Sequence, residues 1–101
     1  MFFWKIVEFL VRLVFFRRFR KARQIGRAGE LLATGEPEEA LALVERTGAR
    51  LHRSLLPLWA YTRGRILDRL DRVDEAIQSF NVVLSVDPAH TRAELELAVL
   101  F

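Results

Sequence analysis

The chain has 101 residues, 51% of them apolar, with 16 basic and 13 acidic side chains, a formal net charge of +3 and no cysteine. That length holds one small domain, and the missing cysteines exclude a disulfide framework and thiolate metal sites. The charge is unevenly divided: residues 1–23 carry seven basic side chains against Glu8 alone, while residues 24–101 carry nine basic and twelve acidic, an asymmetry that points to a membrane or polyanion contact through the N-terminus.

Proline and glycine punctuate helical periods, and no segment alternates β-branched with polar residues, so the expected fold class is all-α. Two parts are expected: residues 1–20 as an apolar helix with a basic flank, and residues 21–101 as a helical domain. In the first, Lys5, Glu8 and Arg12 are spaced three and four apart, which gathers them into one narrow stripe of a helix and lets Glu8 pair with both cations. The rest of the circumference is apolar. Phe2, Phe3, Trp4, Phe9, Leu10, Leu13 and Phe16 are the expected membrane contacts, with Arg17, Arg18 and Arg20 as their basic border. A bilayer span is energetically balanced. The twelve apolar residues between Phe2 and Phe16 contribute roughly −6 kcal/mol and three central charges cost about +8, before snorkelling and pairing are counted. The segment is therefore expected to span, to lie deep in the interface, or to pack on protein. If it spans, the positive cluster on its C-terminal side keeps the following domain cytoplasmic. The expected leader types fit poorly: no basic n-region precedes the apolar run, and residues 1–23 contain no Ser or Thr. Phe16 to Arg23 mixes basic and aromatic residues, but the aromatics belong to the apolar run, so no nucleic-acid partner is expected.

No proline interrupts residues 21–33, so the N-terminal helix is expected to run on into the domain. Ala22, Gly26, Gly29 and Ala33 share one face there, suited to a close helix contact, either within the chain or with a partner. A turn at Thr34-Gly35-Glu36-Pro37 then leads to Ala40 and Val44, and the same shape recurs from Leu70 to Ala76 and Phe80, with Ala40 and Ala76 lying 36 positions apart. Glu38-Glu39 and Asp74-Glu75 read as first-turn acids favoured by the helix dipole rather than as a general acid/base pair. Gly64 and Ala76 remove bulk where two helices cross, and Phe80 fills the space beside them. Pro88 is expected to end one helix and, with Asp87 as N-cap, to start the next.

The run Gly64, Ala76, Phe80 and Asp87-Pro88 resembles a tetratricopeptide repeat, whose period is about 34 residues. In that register one repeat covers residues 57–90, an earlier one carries about two extra residues in the 48–54 loop, and residues 91–101 form the first helix of a third, giving about two and a third repeats. Ala60, Arg63 and Leu67 stand where the family has Trp, Leu and Tyr. The resemblance implies a non-catalytic scaffold for protein partners, and first helices that line a groove. Leu58, Tyr61, Thr62, Arg65, Asp68 and Arg69, continued by Arg92 and Leu95, would form it and suit an acidic segment. Ile25, Gly29 and Arg65 do not supply the carboxylate-clamp set. With the apolar head, the pattern is similar to membrane-anchored repeat proteins of bacterial envelopes, which implies an inner-membrane location with the repeats on the cytoplasmic side. The rival expectation is a small accessory subunit of a membrane complex.

Nothing in the sequence suggests catalysis. His52 and His90 lie in different inter-helical segments without ligand spacing, and surface or capping roles are expected of them. No phosphate loop, nucleophile motif, metal or cofactor is expected. The closing helix carries Leu97, Val99, Leu100 and Phe101 as an uncovered face, expected to continue into further repeats or to pack on another protein or a second copy.

Overall fold

The computed structural model describes residues 2–101. It is all-α: helices α1 (Phe2–Ala33), α2 (Pro37–Thr47), α3 (Leu56–Arg69), α4 (Val73–Val86) and α5 (Thr91–Leu100), with a 3-10 turn at Arg53–Leu55 before α3. Among the described residues there is no strand.

Two turns set the topology. At the end of α1 the Glu36 N–H donates to the Leu31 carbonyl and the Gly35 N–H to that of Leu32; at the end of α3, Arg72 donates to Leu67 and Asp71 to Asp68. These pairs are displaced by 36 positions, and so are the two left-handed residues that make them, Gly35 (φ 83°) and Asp71 (φ 62°). Glycine enters this conformation without steric cost, and Asp is among the few other residues that tolerate it. The recurrence continues into the packing: Ala40 and Ala76, Val44 and Phe80, and Ala28 and Gly64 are all buried at equivalent positions. Each three-residue turn folds its two helices into a hairpin, α1 on α2 and α3 on α4; α2 then packs on α3, and α5 on α4.

The core has two parts. Ala28, Leu32, Ala40, Val44 and Ile66 form one; Ala60, Leu67, Ala76, Phe80, Val83, Ala93 and Leu97 form the other. Leu41 and Trp59 touch both, so the hairpins share one interior. A Cβ on Gly64 would stand 2.7 Å from the Phe80 ring, which accounts for glycine at that crossing. Gly48 serves Trp59 in the same way: a Cβ there would lie 2.7 Å from the indole, whose Nε1 donates to the Val44 carbonyl at 2.8 Å. Gly48 itself has ordinary helical φ (−66°), so the missing side chain matters there, not conformational freedom. Arg63 ties three helices together. It pairs with Glu45 of α2, donates to the buried Ser79 Oγ of α4 at 2.8 Å, and lies over the Trp59 ring.

Several expectations are corrected. No helix of the described residues is long and apolar enough to cross a membrane: the apolar stretch of residues 2–16 extends only about 22 Å, against roughly 30 Å of hydrocarbon, and carries three charges. Helix α1 runs unbroken past residue 20, and its buried residues begin only at Ile25. The small-residue face of Ala22, Gly26, Gly29 and Ala33 is not the packed one; Gly26 and Ala33 are exposed, and a Cβ on either glycine would meet nothing within 4 Å. Ile25, Ala28 and Leu32 face the core instead, because that side offers more apolar area to bury. Glu8 pairs with Arg12 at 2.9 Å but not with Lys5. Asp87 closes α4 and accepts from the Ala89 N–H, while the cap of α5 is His90, whose Nδ1 accepts from the Ala93 N–H at 3.1 Å. Leu97 is buried within the chain, and Leu100 packs against the same core; Val99 and Phe101 are exposed.

Candidate functional site

The first nineteen described residues form an arm of about 28 Å. All are exposed except Val7, which is half-buried. Every expected membrane contact lies on it: Phe2, Phe3, Trp4, Phe9, Leu10, Leu13 and Phe16 are open to the surroundings, and Trp4 is 73% exposed. So large a run of exposed aromatic and aliphatic surface marks an interaction site. Phe3, Val7, Leu10 and Val14 fall within about 60° of the direction that Lys21, Ile25, Ala28 and Leu32 present to the domain. The face buried at one end of α1 is therefore the face left open at the other. Lys5, Glu8 and Arg12 lie on the opposite side.

Where the arm leaves the domain there is a cleft of about 750 Å³. Val14, Arg17, Arg18, Arg20, Lys21 and Gln24 of α1 form one wall; the loop after α2, from Ala49 through Arg53 with Leu55, forms the other. The Lys21 ammonium fastens the two walls by donating to the carbonyls of Thr47 (3.2 Å) and Ala49, groups at the negative end of the α2 dipole. His52 caps the 3-10 turn, accepting from the Ser54 N–H at 3.1 Å. Arg50 adopts φ 54°, a conformation in which glycine or asparagine costs less. Of the expected basic border, Arg17, Arg18 and Arg20 all line this cleft, and the structure adds Arg50 and Arg53. No Asp or Glu lines it, and none of the three ion pairs among the described residues involves a cation of the cleft. Sequence reasoning missed the contribution of Arg50 and Arg53 because some thirty residues separate them from Arg18 and Arg20, and only the α1–α2 hairpin brings them together.

The expected partner groove is only partly assembled as a surface. Tyr61 is half-buried, tilted against the Phe80 ring at 5.9 Å and the His90 ring at 5.2 Å, with Arg65 above it. Thr62 is buried and Asp68 half-buried; Leu58, Arg65, Arg69, Arg92 and Leu95 are exposed. Tyr61 thus packs against the core while staying partly accessible. Both histidines act as helix caps, and no group of residues suited to a metal occurs among the described residues.

No protein-family model, curated protein or solved structure matches this chain.

Proposed function

We propose that this chain is a non-catalytic adaptor of tetratricopeptide-like architecture, held at a membrane by the arm of α1 and presenting its helical domain to a protein partner. The observation that carries the reading is the exposed apolar arm bordered by unpaired cations. An interfacial helix buries its apolar face at the level of the acyl boundary and sets its cations against anionic headgroups. A length of about 22 Å is short for a span and ample for that placement. The 36-residue recurrence of turns and buried small residues supports the repeat architecture, and half-buried Tyr61 with Arg65 over its ring, together with exposed Arg69 and Arg92, supports an acidic segment as the partner.

Trp4 provides the test. In a Trp59→Phe background, its emission should shift to the blue on addition of phosphatidylglycerol vesicles, and the protein should pellet with them even at high salt. Absence of both effects would refute membrane attachment. A second reading has its own support: the open face of the arm continues the face that packs inside the domain, as a helix docked on a membrane-protein helix would. Copurification of a stoichiometric integral-membrane protein in mild detergent, lost on Leu10→Glu and Val14→Glu, favours that accessory-subunit reading.

A further inference from the structure

We infer that the cleft between the arm and the 49–53 loop is a binding site for the phosphate group of an anionic phospholipid. The inference rests on membrane attachment through the arm and specifies which lipid chemistry the protein would recognise.

Three observations carry it. The cleft gathers Arg17, Arg18, Arg20, Arg50 and Arg53 from two chain segments with no acid among its lining residues, an arrangement that is repulsive until an anion enters. Lys21 is already engaged with carbonyls, so it fixes the geometry while the arginines remain available. Guanidinium groups bind phosphate oxygens in pairs, and arginine suits this role better than lysine. The walls between these cations are apolar, with Val14, Leu51 and Leu55, which matches a ligand whose charged head continues into hydrocarbon. A free anion or a nucleic acid backbone would not use that surface. The volume of about 750 Å³ lies within the usual range for a small-molecule site. The third observation is position. The cleft lies at the junction where the apolar arm ends, so an arm lying at the acyl boundary brings the arginine ring to the headgroups. Arg50 also stands in a backbone conformation that an arginine occupies at a cost, consistent with a side chain retained for its charge.

The test uses the full chain and vesicles of phosphatidylcholine with and without phosphatidylglycerol, read by co-sedimentation. Arg50→Asn with Arg53→Gln keeps residues that tolerate the loop and lies off the arm; Arg53→Gln alone is the milder companion, and circular dichroism checks both for folding. Arg27→Gln with Arg46→Gln removes the same charge from exposed positions outside both the cleft and the expected groove. The wild-type chain should prefer the phosphatidylglycerol vesicles. The loop pair should lose about thirtyfold of that preference and Arg53→Gln alone about fivefold, as expected for arginines at a charged surface. Binding to phosphatidylcholine alone should be unchanged, and the control pair should lose less than twofold. Equal losses in the loop and control pairs would reduce the effect to net charge and overturn the site. An unchanged vesicle preference in the loop pair would also overturn it, whether the cleft then proved to bind inorganic phosphate or a single-stranded RNA oligonucleotide. Wild-type protein that binds no vesicle would refute membrane attachment itself.

Discussion

Single residues in this protein are chosen for what their neighbours need. Gly64 lies in the middle of α3, where alanine would favour the helix by about 1 kcal/mol, yet a Cβ there would meet the Phe80 ring at 2.7 Å, and Phe80 is fully buried. Overpacking of this kind costs about 1–3 kcal/mol, so Gly64→Ala should lower stability by about 1 kcal/mol net. Denaturant unfolding would measure it, and a double-mutant cycle with Phe80→Leu should recover much of the loss. Glu36 makes the opposite case. It occupies the N-cap of α2 without a side-chain cap bond, and its carboxyl is held above the ordinary range by its hydrogen bond to Glu39 and by the Glu39 charge. A raised carboxyl binds its proton more readily in the folded chain, so stability declines as the pH rises through the raised pKa. Glu36→Ser supplies a cap and removes the repulsion. It should raise stability at neutral pH, with a smaller gain below the carboxylate range, which melting curves at the two pH values would reveal. Glu75 behaves in the reverse sense: its hydrogen bond with Arg72 holds its carboxyl low, so its contribution is present at neutral pH and fades on acidification.

Elements are joined by turns whose chemistry is local and by one clasp whose chemistry is not. The Gly35 and Asp71 turns could be read from sequence, because a left-handed residue after a helix and an acid-rich first turn are short-range signals. The clasp of Lys21 on the end of α2 could not, since it links positions 26 and 28 residues apart. Lys21→Met should therefore leave the hairpins folded but release residues 48–55, a change seen as faster amide exchange confined to that loop. The same distance hid the partner of Arg63. The expected repeat resemblance marks it only as a departure from the pattern, whereas its contacts with Glu45 and Ser79 bind α2, α3 and α4 together. Trp59 is hidden from the sequence for a related reason: it lies one position before the expected aromatic site, and its packing depends on the bare Gly48 at the end of the neighbouring helix α2.

The whole molecule divides into a domain that buries its apolar residues and an arm that does not. No residue of 2–20 is buried, so a chain beginning at Arg18 should fold with a melting temperature within a few degrees of the full chain. It should also lose attachment to phosphatidylglycerol vesicles; co-sedimentation and a thermal scan would check both. The sequence by itself determined the helical class, the 36-residue recurrence and the concentration of apolar and basic residues at the N-terminus, because periodicity, turn residues and charge are properties of neighbours along the chain. Tertiary structure alone decided which face of α1 enters the core and how the arm departs from it. It also decided that Arg50 and Arg53 stand opposite Arg17 and Arg18. These outcomes depend on packing between segments far apart in sequence, where the apolar area available to each face and the close approach permitted by Gly48 and Gly64 select one arrangement.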